Sequence, residues 1–360
     1  MSEALQALLC SVWIDTGSRP DEASFMMTAC VFRGLAMEGA CYPRGSSKVL
    51  AERLVPVVER YGGRVLVRAQ VEKLLLRDGR CVGVRLANGH EIFASKIISS
   101  AGYHATMQKL LPVEEVSDEV IPRQVPGVKD SYGFVMLNLG LRGEPEKLGV
   151  TNANSWYVPT DPTTEGDLEM WSPLRRFFED PLHSSKDIPL MVTFPSMKDQ
   201  AWAQKHPGKV SCQVLILAKY EWFEKWKDQP CEHRDGAYEA LKAKWRDLVL
   251  EQMYRMFPAW KGAVEVADIS TPLTIEHYLR ATRGGAVGLD QTGPRYTDPK
   301  VLNILDCVTK IPNLYLTGQD TFMCGVTLAQ LTGVITALRM VGFVESFKAI
   351  AQSVLFLRQQ

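Results

Sequence analysis

The residues best placed for chemistry in this 360-residue chain lie toward its C-terminal end. Pro312-Asn-Leu-Tyr-Leu-Thr-Gly-Gln-Asp320 reads as a short strand that stops in Gly318-x-Asp320. Gly325 then opens an apolar helix that carries Gly333 and Ala337. A strand that hands over to a helix N-terminus makes a site for a polar, electron-rich ligand edge. The first-turn N–H groups are unpaired there, and the helix dipole favours negative charge. Asp320 can accept hydrogen bonds from ligand hydroxyls, while the N–H groups around Gly325, Val326 and Thr327 can face the electron-rich edge. A second constellation is Ile97-Ile-Ser-Ser-Ala101-Gly102, a strand running into a small-residue turn. Taken singly, the first segment is equally explained as an element that only packs, and for the second that is the commoner reading.

Other chemistries find little support. No Ser/His/Asp or Cys/His arrangement is legible, so hydrolysis by a covalent route is not indicated. The eight cysteines form no C-x-x-C, and the six histidines form no H-E-x-x-H, so no metal site is expected. Cys30 and Cys212, flanked by apolar residues, read as reduced core residues. His104 follows Ala101-Gly102 and reads as a surface residue at a helix start. His277 and Tyr278 could line a cavity, although a structural histidine is the commoner reading. Arg283-Gly-Gly could approach a planar ligand with backbone alone. The cluster Tyr220, Trp222, Phe223 and Trp226 could roof an apolar pocket but has spacing typical of packing.

The elements that must position these residues follow from pattern. Ser11 to Cys41, rich in Met, Ala and Phe, reads as helical and largely buried. Tyr42-Pro-Arg-Gly is a turn, with Ser46 or Ser47 as the cap of a helix whose apolar positions recur near the 3.6 period. Pro56 predicts a kink or a short break in that helix, and Gly62-Gly63 its end. Strands are expected at 64–68, 71–77, 81–86, 91–93 and 96–99, with hairpin turns at Asp78-Gly79 and Asn88-Gly89. Tyr103 to Leu111 reads as helical. Further strands are expected at 132–141, 190–194, 210–218 and 264–269, and a long helix at 235–257. Lys+Arg and Asp+Glu number 41 each, which argues against nucleic-acid binding by bulk charge. No run of about 18 apolar residues is uninterrupted; Val326 to Val344 reads as a buried soluble helix, and the N-terminal residues lack a signal-peptide pattern.

The order of these parts resembles the carotenoid and retinoid branch of the FAD-dependent phytoene desaturase and amine oxidase superfamily. Tyr42-Pro-Arg-Gly, Gly62-Gly63, Tyr220-Glu-Trp-Phe-Glu-Lys-Trp, Ser270-Thr-Pro-Leu-Thr and Ile311-Pro-Asn-Leu-Tyr-Leu-Thr-Gly-Gln-Asp look like the retinol saturase family, the all-trans-retinol 13,14-reductases. The resemblance runs from about residue 13 to about residue 340. It implies an α/β fold: an incomplete FAD/NAD(P)-binding Rossmann-like domain with an inserted mixed-sheet, α+β substrate domain. The implied division is 1–63 (helical part of the substrate region), 64–112 (meander and returning strand of the FAD domain), 113–300 (substrate domain), 301–345 (C-terminal FAD-binding strand and helix) and 346–360 (tail).

The resemblance also implies FAD, with NAD or NADP as a further electron source, an apolar retinoid substrate, and residence at the endoplasmic reticulum membrane. Val71 would lie at the adenine end of the dinucleotide and Ala101 and Gly102 near it. Gly318 would be part of the cofactor site, Asp320 would bind the ribityl chain, and Gly325, Val326 and Thr327 would lie at the ring. Tyr42, His277, Tyr278 and Arg283 would line the substrate. Saturating an alkene is mostly the cofactor's chemistry, so the protein must hold the polyene flat and exclude water, and no catalytic side chain is singled out. Two departures stand out. No G-x-G-x-x-G occurs in these residues, so this chain by itself is expected to bind flavin poorly. Ser46 stands where relatives usually carry a second glycine. Two alternatives follow: a carotenoid isomerase or desaturase, and a non-catalytic remnant that binds a lipid or a partner.

Overall fold

The computed structural model describes residues 2–162, 168–183, 187–342, 345, 346 and 348. The fold is mixed α/β, and the chain divides into two compact units: residues 1–66 with 132–279, and residues 67–131 with 280–360. These boundaries differ from the sequence division. Residues 113–131 and 280–300 fall in the second unit, not with residues 132–279, and Asp130 and Ser131 pair there with Gly288 to Asp290. Most of the expected tail lies outside the described residues.

The second unit contains the meander. Strands β1 (Val71–Arg77), β2 (Arg80–Leu86) and β3 (Glu91–Phe93) pair antiparallel in that order. Asp78-Gly79 and Asn88-Gly89 make the turns, as the Asx-Gly pairs dictate. The fourth strand, β4 (Ile97–Ser99), leaves the meander and pairs elsewhere. Leu74 and Cys81 turn inward and pack with Tyr103, Met107, Leu289, Val301 and Leu314.

In the first unit a five-stranded sheet forms the main core. Its strands are β5 (Gly133–Arg142), β6 (Ser155–Tyr157), β9 (Leu190–Thr193), β10 (Lys209–Ala218) and β11 (Val264–Ser270), in the order β11-β5-β10-β9-β6. A separate pair joins β7 (Asp161–Pro162) to β8 (Leu168–Glu169). β5 and β10 pair without a slip from Arg142↔Lys209 to Gly133↔Ala218. That register keeps Val135, Leu137, Leu139 and Leu141 on the buried face beside Val210, Cys212, Val214 and Ile216. Each such side chain contributes about 1.5–3 kcal/mol by leaving water. The helix Gly236–Met256, capped by the Asp235 carboxylate on the Tyr238 N–H (3.0 Å), lays Trp245, Val249 and Gln252 on this core. Tyr238 and Met253 complete its buried face, while Leu241, Leu248 and Met256 are only partly covered.

β12 (Leu314–Leu316) belongs to the second unit and pairs parallel with β4. The helix Val326–Val341 follows it.

Several expectations fail for identifiable reasons. Residues 64–68 form no strand: Arg68 sits at φ +55°, in the left-handed region that an extended run excludes. Among the residues between Ser11 and Cys41 whose burial is described, only Val12–Ile14, Thr16–Ser18, Ser24 and Met27 are buried; Phe25 and Met37 of the short helical stretches are exposed. The helix Lys48–Arg60 runs unbroken through Pro56 and buries no residue, so water can satisfy the carbonyl that Pro56 leaves unpaired. Cys30 is exposed, whereas Cys212 is buried and free as expected. Val326–Val341 is not a buried helix. It turns Thr332 and Thr336 inward and leaves Val326, Leu331, Val334 and Val341 exposed. Thr336 fits closely enough to donate to the Leu316 carbonyl (3.0 Å), a contact that favours a small polar side chain. No helix among the described residues is long and apolar enough to cross a membrane.

Candidate functional site

The parallel pairing of β4 and β12 brings the two constellations together. Because both strands run the same way, their C-terminal ends adjoin, which is where ligands bind in parallel sheets. Thr317 N–H donates to the Ser99 carbonyl (3.0 Å), and Gly318 lies beside Ser100. Thr106 fastens the turn that follows β4: its hydroxyl donates to the Gly102 carbonyl (2.6 Å) and lies 2.7 Å from the Ser99 hydroxyl. Gly102 and Gly318 both sit at φ +92°, a conformation open to glycine and strained for other residues.

Asp320 is the hub. It is buried, and each carboxylate oxygen accepts a main-chain N–H: Oδ2 from Tyr103 (2.7 Å) and Oδ1 from Leu289 (2.8 Å). Close approach is possible because Gly102 and Gly288 lack side chains. A Cβ on Gly102 would lie 2.9 Å from Oδ2, and one on Gly288 would lie 2.1 Å from Oδ1. Asp320 therefore ties three segments of the second unit together, beyond any part in holding a ligand. Tyr103 is buried too, and burial pushes its phenol up to about 12, so it stays protonated and donates to the Pro122 carbonyl (2.7 Å).

Gly325, at φ +97°, opens the helix Val326–Val341 with no side-chain cap. A Cβ at Gly325 would meet nothing within 4 Å, and Val326 and Thr327 are exposed. Ala329 N–H is the first of the helix to bond back, to Gly325 (2.9 Å). The N–H groups of the first turn thus face an open approach. The arrangement can meet an electron-rich edge, as the residue types suggest.

The other expected residues are dispersed. Ala101 is exposed in the turn after β4. Val71 is the first residue of β1, in the meander and not in the β4–β12 pair. Tyr42 is exposed in its loop, in the first unit. His277 and Tyr278 also belong to that unit, on the helix Pro272–Leu279; their rings meet edge-on at 4.8 Å, and the exposed Tyr278 hydroxyl donates to Glu232 (3.0 Å). Arg283 belongs to the second unit, at φ +52°. Trp222, Phe177, Phe178 and Trp245 stack edge-on or tilted, and Tyr220, Phe223 and Trp226 are buried, so that cluster is core.

Three features were missed from sequence. His104 is buried, with Nδ1 3.0 Å from Asp130 Oδ1. Gly288-Leu289 forms one side of the Asp320 hub. Arg295 is buried beside it and donates to four main-chain carbonyls. A weak signal existed: Gly288-Leu289-Asp290 followed by Arg295 is a glycine turn with a nearby cation, but its partners are sequence-distant.

No protein-family model matches the chain. It is 35% identical over 337 residues to an all-trans-retinol 13,14-reductase of Danio rerio, covering 92% of this chain and 54% of that protein. The Homo sapiens all-trans-retinol 13,14-reductase is also 35% identical, with 90% and 53% covered. This chain is a relative of the all-trans-retinol 13,14-reductases. It spans about half the length of these curated relatives. A prolycopene isomerase of Daucus carota is 27% identical over 84% of the chain and 44% of that protein, which places the likeness within a wider superfamily. Among solved structures, an oxidoreductase from Methanosarcina mazei aligns with a TM-score of 0.50 at 16% identity, over 89% of this chain and 58% of that one, a likeness of fold.

Proposed function

We propose that this chain forms the ring-binding side of an FAD site serving to saturate the 13,14 double bond of a retinol-like polyene. The observation that carries the reading is the parallel β4–β12 pair. It sets Gly102, Gly318 and Asp320 at adjoining strand ends, with the uncapped helix start at Gly325 to Thr327 following. The similarity to proteins named all-trans-retinol 13,14-reductase supports the same reading.

The residues fit the ring end of such a cofactor. The open approach at Gly325 admits a flat ligand, and the first-turn N–H groups favour the negative charge that a flavin gains on reduction. They offer no Gly-rich cradle for the pyrophosphate. When bound, the flavin supplies the reducing equivalents. The protein's part is to hold the ring, keep Asp320 and the Gly102 turn rigid, and exclude water. Roles for Val71 and Ala101 at the cofactor, and for Tyr42, His277, Tyr278 and Arg283 at the substrate, belong to the proposal. So do residence at the endoplasmic reticulum membrane and an NAD or NADP electron source, which rest on the resemblance alone.

The test is product analysis. The full chain with FAD and a chemical reductant is incubated with all-trans-retinol and, separately, with prolycopene. Saturation adds two hydrogens to retinol, and isomerisation leaves the mass of prolycopene unchanged. A mass gain on retinol supports the reading. Isomerised prolycopene with unchanged retinol favours the isomerase reading, to which the carrot relative points. Inertness toward both favours the non-catalytic binding reading.

A further inference from the structure

Arg295, in the short helix Gly293–Thr297, is 1% exposed, yet its partners are unusual for a buried guanidinium. Nη1 donates to the carbonyls of Leu289 (2.7 Å) and Asp290 (3.1 Å), and Nη2 to those of Gln319 (2.5 Å) and Asp320 (3.2 Å). Its Nε–H is buried without a partner, and no ion pair of Arg295 is formed among the described residues. The Asp320 carboxylate is engaged with the N–H groups of Tyr103 and Leu289. Besides these carbonyl dipoles the guanidinium meets, among the described residues, only the Tyr296 ring, 5.6 Å to its centroid; a buried charge without an anion is expensive, and a purely structural site would do better with a paired or neutral side chain. Two consequences follow. The fork clamps the Gln319–Asp320 turn, which lies between β12 and the helix Val326–Val341, onto the Leu289–Asp290 loop. It also leaves a standing positive charge beneath that turn.

We infer that Arg295 is a positioning residue of the cofactor site: it fixes the turn that carries Asp320 and biases the site toward the negatively charged, reduced ring. This rests on the flavin reading above. Arg295 acts through Gln319 and Asp320, since it is itself covered by protein.

The experiment compares the full chain with Arg295→Lys and Arg295→Gln. Flavin affinity and the two-electron midpoint potential are read by FAD fluorescence and spectroelectrochemistry. Amide exchange is followed at residues 287–291 and 315–321 without flavin. Arg295→Gln is expected to weaken FAD binding about tenfold, with greater loss for the reduced form. Each tenfold loss of preference for reduced flavin lowers the midpoint by about 30 mV. Arg295→Lys keeps the charge without the fork, so its potential should stay near wild type while its exchange at the two segments rises. A folded Arg295→Gln with wild-type affinity and potential overturns the inference. If that variant does not fold, Arg295→Lys decides: unchanged exchange at both segments refutes the clamp. If the wild-type chain takes no flavin, the flavin reading falls and the charge role with it. The clamp is then upheld by faster exchange confined to the two segments in Arg295→Lys or Arg295→Gln, and overturned by uniform or absent change.

Discussion

Asp320 offers the sharpest single perturbation, Asp320→Asn. The side chain keeps its shape, but one oxygen becomes an NH2 group. Whichever way the amide turns, a donor then faces a main-chain N–H at about the present 2.7 Å or 2.8 Å. One charge-assisted bond, about 1.5–3 kcal/mol, is lost, and a buried N–H is left facing a donor. The remaining bond also weakens, because its acceptor is now neutral. Relief of carboxylate burial offsets part of this. The expected net loss is about 2–4 kcal/mol, which corresponds to roughly 30- to 1000-fold in local opening. Native-state amide exchange is the assay, since all eight tryptophans lie in the first unit and their fluorescence does not report on Asp320. Tyr103 and Leu289 should lose protection by that factor. If both exchange within about threefold of wild type in a folded variant, Asp320 is not the hub described here.

Further outcomes follow from individual residues. Burial pushes the Asp15 carboxyl up to about 6, so the folded chain holds a proton there that the unfolded chain releases near 3.8. This contribution is full below about pH 4 and is lost as pH rises through about 6, so Asp15→Asn should raise stability at pH 7 by on the order of 2 kcal/mol and flatten the profile across that window. Urea unfolding at pH 4 and pH 8, read by tryptophan fluorescence, checks it; an unaltered profile refutes it. Cys30 and Cys41 are exposed while Cys81, Cys212, Cys307 and Cys324 are buried, and burial pushes the Cys212 thiol up. A thiol reagent should therefore label Cys30 and Cys41 in the native chain, and the buried four only on unfolding, with peptide mapping as the readout. Trp260 is fully buried, stacks on Phe257 at 4.4 Å and donates to the Leu148 carbonyl (3.0 Å). Trp260→Ala should cost about 3–5 kcal/mol in denaturant unfolding, and a loss below 1 kcal/mol would show that the site collapses freely.

Local chemistry made much of this fold legible. The meander was readable because Asp78-Gly79 and Asn88-Gly89 select their turns within a few residues, and β5 and β10 because their apolar positions alternate. The strand-to-helix passage around Asp320 was legible for the same reason. Long-range partners were not. That β4 would leave the meander for β12 depends on a pairing across more than 200 residues. Arg295 finds its four carbonyls only once Leu289 and Gln319 are brought together. The helix Val326–Val341 misled the reading because its composition is apolar, whereas the face that packs is set by Thr332 and Thr336. His104 was mistaken for a surface residue, since its partner Asp130 lies 26 positions away.

Titration of the full chain with FAD, followed by quenching of flavin fluorescence and by the visible flavin bands, tests the central claim most directly. The account predicts saturable but weak uptake, with a dissociation constant of roughly 10–100 μM, because the ring end is built while no Gly-rich pyrophosphate turn occurs in these residues. Gly102→Val, which strains the φ +92° turn and crowds Asp320 Oδ2, should weaken that uptake further. A chain that stays colourless, with no saturation at millimolar FAD, would contradict the flavin site itself.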